Sequence, residues 1–332
     1  MSYLELGIDL GSSVTSIYAK GQGIVLREPT VLVLEADGTP AAVGDAAKKL
    51  IGKLPRDKKV CFPVFEGVVI SREGATQLLA AFLEKVMPAK LIRPKIRAVL
   101  GVPCGATPRD KQMLEEVAAE AGIREPIVVE NCICQHLGRD FSLRRTQPVL
   151  TVDIGGGKTD VSVIADGRIL AGCTLGVGGN NVDTGIIDWL LQEYQLKIGL
   201  LTAERIKSSV CSLSERENGT SMITGQDVAK NAPRSMLVSA KMLYPVVAHY
   251  YDKISEVADV MIKSLPAEIS AAILEDGIHL TGGGSRMAGL VPYLVRTLGY
   301  SYQTIANADF VSVLGAGKLC EDPKLQKAVF DL

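Results

Sequence analysis

Aromatic residues are scarce. Phe, Trp and Tyr make up 5% of the 332 residues, with a single Trp. Single-stranded nucleic acid is held largely by stacking on such rings, so that class of binder is disfavoured. An excess of one charge is also lacking. Lys and Arg number 36 against 37 Asp and Glu, for a net charge of −1. That balance argues against a general nucleic-acid binder, and nucleic acid is not an expected partner. No apolar run approaches the ~18 residues of a membrane span. The opening residues Met1-Ser2-Tyr3-Leu4-Glu5 lack the basic-then-apolar pattern of a signal peptide. There are three His and seven scattered Cys, of which Cys132 and Cys134 form the single close pair. That pattern favours neither a zinc site nor a disulfide framework, and we expect reduced thiols in a cytoplasmic compartment.

What is present is ordinary for a soluble chain: 47% hydrophobic and 22% charged residues. The length suggests two domains and a core that needs no metal or disulfide support. A mean hydropathy slightly above zero permits burial against further copies of the chain or a lipid face.

The most informative feature is an internal echo. Residues 7–17 read GIDLGSSVTSI and residues 151–161 read TVDIGGGKTDV; a shift of 144 lays Asp9 on Asp153, Gly11 on Gly155 and Thr15 on Thr159. Each copy reads as an apolar strand ending in Asp, a tight turn of small residues and a second strand. Small residues let backbone N–H groups converge on an anion. Two such turns facing across a cleft would grip a polyphosphate. Asp9 and Asp153 would then hold Mg²⁺ through its waters, since this ion keeps most of its hydration shell. The bland alternative is two unrelated glycine hairpins; the match of both turns and both carboxylates argues against it.

A third glycine stretch follows a strand at 277–281: Gly282-Gly283-Gly284-Ser285-Arg286, with Met287, Leu290 and Leu294 at helical spacing. Val177-Gly178-Gly179-Asn180-Asn181 opens a helix that carries Val182, Ile186, Trp189 and Leu190 on one face. Glu204 and Lys207 sit three apart on a predicted helix and share a side.

Taken in order, DLGSS, DIGGGKT, GVGGNNVD, TAERIK and LTGGGSRMAGL resemble the actin-like ATPase superfamily, and within it the MreB group of bacterial actins. GIVLREP (23–29), VGDAAKKLIGKLP (43–55), FPVFEGVVI (62–70), VLGVPCGAT (99–107) and VLGAGKL (313–319) extend the resemblance over nearly the whole chain. It implies an α/β fold of two duplicated RNase H-like halves around a nucleotide cleft, each with an inserted smaller subdomain. The halves would be 1–148, with an insertion at about 31–61, and 149–332, with an insertion at about 181–234. A final helix from about 309 would pack back on the first half.

By the same resemblance, ATP or ADP would be held by Ser12, Ser13 and Val14 in the first loop, and by Gly155, Gly156, Gly157, Lys158 and Thr159 in the second. Glu204, Lys207, Gly282, Gly283, Gly284 and Met287 would serve ribose and base, and Gly179 and Ser285 would add contacts to the nucleotide. The family's catalytic carboxylate falls on Asn131 here, with Glu130 beside it and Thr159 opposite. An amide can hold a water but cannot take its proton, so slow hydrolysis is expected. Lys158 stands where a small hydroxyl residue is usual, either to meet the terminal phosphate or to turn outward. Gly178-Gly179-Asn180-Asn181-Val182-Asp183 has lost two carboxylates relative to the family pattern.

Met87-Pro88-Ala89-Lys90-Leu91-Ile92-Arg93-Pro94-Lys95 mixes apolar and basic residues. It falls where some members of the group insert a loop into the membrane. Leu91 and Ile92 would enter the interface and the cations would meet anionic headgroups. The resemblance thus implies a self-polymerising, membrane-associated scaffold that works with cell-wall synthesis and shape proteins. A small-molecule kinase of the superfamily would need a substrate-side base, for which no convincing Asp is seen. A chaperone-like ATPase would need a peptide-binding domain, which we do not expect here.

Overall fold

The computed structural model describes residues 3–89, 93–214 and 216–330. Its first half grows from the first copy of the echo. Strand β1 (Tyr3–Leu10) buries Leu6, Ile8 and Leu10 and turns into β2 (Val14–Ala19) and β3 (Gly23–Pro29). Short strands β4 (Leu32–Leu34) and β5 (Pro40–Val43), helix α1 (Asp45–Lys48) and β6 (Lys59–Cys61) follow, giving a small sheet of order β5-β4-β6. A two-stranded hairpin, β7 (Val64–Phe65) and β8 (Val68–Val69), turns at Glu66 and Gly67, both with positive φ.

Helix α2 (Arg72–Val86) covers the sheet with Leu78, Leu79 and Phe82. Strand β9 (Lys95–Val102), helix α3 (Pro108–Glu120) and strand β10 (Ile123–Glu130) complete the half. The expected start of α3 is observed as a capping box: Asp110 N donates to Thr107 Oγ1 at 3.2 Å and Thr107 N donates to the Asp110 carboxylate at 2.8 Å. Pro108 sits in the first turn, where a missing N–H leaves no partner unsatisfied. Helix α4 (Asn131–Gly138) follows β10 directly.

The second half repeats the plan. Strands β11 (Val149–Ile154), β12 (Thr159–Ala165) and β13 (Arg168–Leu175) precede helix α5 (Gly179–Tyr194). Strand β14 (Leu196–Lys197), helix α6 (Leu200–Ser209) and strands β15 (Thr220–Asp227) and β16 (Ala232–Ser239) come next. Helices α7 (Ala240–Ser264) and α8 (Ala267–Asp276), strand β17 (Ile278–Thr281), helix α9 (Leu290–Leu298) and strand β18 (Tyr302–Thr304) return to the main sheet. Helices α10 (Val311–Glu321) and α11 (Pro323–Phe330) end the description.

The two five-stranded sheets have one topology. From one edge they read β3-β2-β1-β9-β10 and β13-β12-β11-β17-β18. In each, the repeat strand is antiparallel to the next strand in sequence and parallel to its other neighbour. Each sheet draws its strands from one half of the chain. The expected end of the second insertion at 234 falls inside β16, because the hairpin pairing runs on to Thr220↔Ser239. Ser239 ends it by capping α7, its Oγ accepting from Met242 N at 3.3 Å.

Helix α10 crosses back onto the first half. It lies so close that a Cβ on Gly315 would strike the Cys134 carbonyl, and one on Gly7 of β1 would strike the backbone at Gly317. Lys318 Nζ donates to Leu137 O at 2.6 Å at the end of α4. Val99, Cys134, Leu137, Ile164 and Leu319 share one buried cluster, which joins the two halves beneath the cleft.

Candidate functional site

The repeated sequence makes a repeated turn. Gly11 N donates to Val14 O at 3.2 Å, and Gly155 N donates to Lys158 O at 2.8 Å, the same bond 144 residues on. The two tips touch. Ser13 Oγ donates to Asn180 Oδ1 at 2.7 Å, and Gly67 N, from the β7–β8 hairpin, donates to Ser12 Oγ at 2.8 Å. A Cβ on Gly156 would collide with Ser13, and one on Gly157 would lie 2.7 Å from Ser12 Oγ. Small residues are therefore required at the point of approach. Between the halves lies a cavity of about 610 Å³, a size suited to a small organic ligand. Ser12, Ser13, Val14, Gly155, Gly156 and Gly157 all line it.

Asp9 and Asp153, at the ends of β1 and β11, both face this cavity. Asp153 Oδ1 accepts from Thr281 Oγ1 at 2.8 Å. Burial, and then the neighbouring Asp153 charge, push the Asp9 carboxyl up to about 6. Burial raises Asp153 as well, against the pull of Lys158. Two carboxylates that are costly to ionise together form a site that gains from an added cation. Among the described residues no three His, Cys, Asp or Glu are arranged to hold a metal. A hydrated Mg²⁺ that takes few protein ligands fits this pair; a closed metal cage does not.

Lys158 does not turn outward. It lines the cavity, yet its ammonium is bonded to the carboxylate of Asp160, two residues along. Asp160 is fully buried, and its other oxygen accepts from Thr174 Oγ1 at 2.6 Å. A carboxylate so deeply buried needs a cation, and Lys158 is the one within reach.

Asn131, the first residue of α4, is buried and lines the cavity. Its side chain occupies space left open by Gly101, where any Cβ would collide with Oδ1. The other two expected catalytic residues lie elsewhere. Glu130 pairs with Lys111 of α3 at 2.5 Å and does not line the cavity. Thr159 Oγ1 donates to Val177 O at 2.7 Å, away from the space. Ser285 likewise bonds to Gly282 O at 2.7 Å, so its hydroxyl serves the loop.

Beyond the two turns, Gly282, Gly283, Gly284 and Met287 also line the cavity. Gly282 combines a φ of 79° with backbone contact so close that a Cβ would strike Ile154 O, so both conformation and space demand glycine. Tyr251 OH donates to Gly284 O at 2.7 Å and pins the loop from α7. Lys207 Nζ donates to Gly179 O at 2.9 Å and to Asp183 Oδ2 at 2.6 Å. Burial pushes Asp183 up to about 6 despite this partner. Glu204 lines the cavity while accepting from Lys48 of α1 at 2.7 Å.

A rim formed by Arg27, Arg286 and Asp309 carries no signature in the sequence. Asp309 Oδ2 accepts from Arg27 at 3.1 Å and from Arg286 at 3.4 Å. Arg27 lies in GIVLREP, a segment already singled out, but nothing local marked Asp309. Tyr251, Ser208 and Cys211 also line the cavity without a local signal of their own. Cys132 and Cys134 are buried on α4, as expected. Leu91 and Ile92 lie outside the described residues. No described helix is long and apolar enough to cross a membrane.

The family described as "MreB/Mbl protein" matches residues 3–328. The cell shape-determining protein MreB of Escherichia coli (strain K12) is 31% identical over 323 residues, which cover 96% of this chain and 93% of that protein. The crystal structure of MreB 5 of Spiroplasma citri bound to AMPPNP superposes with a TM-score of 0.91 at 25% identity, covering 100% of this chain and 99% of the other. A MamK double helical filament aligns with a TM-score of 0.80 at 24% identity, over 97% and 99% of the two chains, a likeness of fold.

Proposed function

The chain belongs to the MreB/Mbl family and has the actin-like ATPase fold, and we propose that it is an ATP-binding bacterial actin that polymerises into filaments. The observation that carries this reading is the matched pair of turns, Gly11 to Val14 and Gly155 to Lys158, flanking a cavity floored by Asp9 and Asp153. Backbone N–H groups of both turns, with the Ser12 and Ser13 hydroxyls, would hold the phosphates. Asp9 and Asp153 would hold Mg²⁺ through its waters, where the ion would offset phosphate charge. Glu204, Lys207 and the wall from Gly282 to Met287 would receive ribose and base.

Within this reading, halves 1–148 and 149–332 close on the triphosphate. The terminal phosphate biases their open–closed equilibrium because it binds both turns at once. Asn131 orients a water without accepting its proton, so turnover is slow. The filament would lie at the cytoplasmic face of the membrane, anchored weakly per copy by the loop with Leu91 and Ile92 and collectively by avidity. Family membership supports a role in organising cell shape and cell-wall synthesis.

Electron microscopy of the purified protein with ATP, with ADP and without nucleotide tests the reading. Filaments that depend on ATP support it. A monomer under all three conditions that phosphorylates a small molecule would replace it with a kinase. Flotation on anionic liposomes tests the anchor, and unchanged binding by Leu91→Ser/Ile92→Ser removes it.

A further inference from the structure

Two cysteines meet beside the cleft and have no part in the nucleotide reading. Cys104 lies in the turn between β9 and α3, and Cys132 is the second residue of α4, next to Asn131. Their sulfurs are 3.3 Å apart. A disulfide has its sulfurs about 2.05 Å apart, so an approach of about 1.2 Å closes the bond. The two thiols are not equivalent: Cys132 is buried, whereas Cys104 is partly open. The hydrogen bond from Cys132 stabilises the Cys104 thiolate and lowers its pKa despite its burial. The same bond and its own burial raise Cys132. A partly open thiol whose ionisation is favoured, 3.3 Å from a buried thiol, is the arrangement of an attacking sulfur and a resolving one.

The pair also sits where a bond would matter. Gly172 of β13 packs on Cys104 so closely that a Cβ there would collide with its sulfur. Gly105 N donates to Thr174 Oγ1 at 3.0 Å. The Cys104 turn is thus clamped to the second half on one side and faces α4 on the other.

We propose that Cys104 and Cys132 are a redox-active dithiol, a modification site that peroxides convert to an intramolecular disulfide tying the β9–α3 turn to the first turn of α4. The Cys104 thiolate attacks a peroxide oxygen, the O–O bond breaks, and hydroxide leaves to be protonated to water. Cys104 is now a sulfenic acid, oxidised by two electrons. The Cys132 sulfur attacks the Cys104 sulfur, the S–O bond breaks, and the departing hydroxide takes the Cys132 proton as water. In sum, two thiols and one hydrogen peroxide give one disulfide and two waters. The bond would hold Asn131 in one position. Cys134, Cys211 and Cys320 are buried with raised thiols and stay inert. Cys173, half-buried on β13, is the competing partner.

The test treats the purified full chain with hydrogen peroxide, blocks free thiols and maps tryptic peptides without reductant. Arg109, Lys111 and Arg124 place the two cysteines on separate peptides. The expected result is a loss of 2 Da, a Cys104–Cys132 cross-linked peptide, and reversal by dithiothreitol. Cys132→Ser should instead leave a sulfenic acid on Cys104 that dimedone traps, while Cys173→Ser keeps the disulfide. A Cys104–Cys173 bond, first oxidation at another cysteine, or overoxidation of Cys104 without cross-linking overturns the proposal. Cys132 and Cys134 share the peptide 125–139, so fragmentation of the cross-linked peptide assigns the bond, and this wild-type map decides the matter even if a variant fails to fold.

Discussion

Lys48 Nζ lies 2.7 Å from Glu204 Oε1, joining α1 of the first half to α6 of the second beside the cavity. Both side chains are more than a third exposed. Exposed pairs contribute about 0–1 kcal/mol, so this pair adds little to stability. It bridges the two halves at the cleft, where we expect it to act as a latch.

Lys48→Ala should therefore shift urea-induced unfolding by less than about 1 kcal/mol, yet release a fluorescent adenine nucleotide several times faster in a chase experiment. An unchanged release rate would show that the pair does not restrain the cleft.

A different outcome is expected at the buried pair. Asp160 is fully buried and Lys158 nearly so. Removing one partner of such a pair strands the other charge, at a cost of about 3–5 kcal/mol. Lys158→Met should lose stability on that scale in urea. Lys158→Met/Asp160→Leu should recover more than half of it. A single variant as stable as the wild type would show that the pairing is incidental.

Asp183 gives a pH dependence of definite sign. Burial raises its carboxyl from 3.8 to about 6 in the folded chain. Between those values the folded state holds more protons than the unfolded one, so stability falls as pH rises. The contribution is fully present below pH 3.8 and is lost as pH passes through about 6. The melting temperature of Asp183→Asn relative to wild type should therefore increase from pH 4 to pH 7. A constant difference across that range would contradict the assignment.

Much of this was legible because the decisive features are local. Asp9, Gly11 and Gly155 declare a turn through residue size alone, and their repeat declares a second one. The capping box at Thr107 and Asp110 also needs only four residues. What escaped depends on distance or on direction. Glu204 meets Lys48 from 156 positions away, and Asp309 meets Arg27 from 282. Neither separation leaves a periodic trace. Glu130 turns to Lys111 because it precedes α4 and points off its axis, whereas Asn131 begins the helix facing the cavity. The contact of Lys158 with Asp160 is local as well, since residues two apart near a strand share a face.

Asn131→Glu should raise phosphate release about tenfold or more over a slow wild type, since a carboxylate can serve as general base where an amide cannot. The comparison is made in a coupled phosphate assay under polymerising conditions. A wild type already as fast as the variant would remove Asn131 from the account.

The central claim is that the two matched turns hold one adenine nucleotide between the halves. Isothermal titration of the purified protein with ATP and Mg²⁺ tests it most directly, alongside Gly156→Val with its fold checked by circular dichroism. The account predicts one site per wild-type chain and none in the folded variant, whose side chain would force Ser13 away. A wild type that takes up no nucleotide, or a variant that binds as well as the wild type, would contradict it.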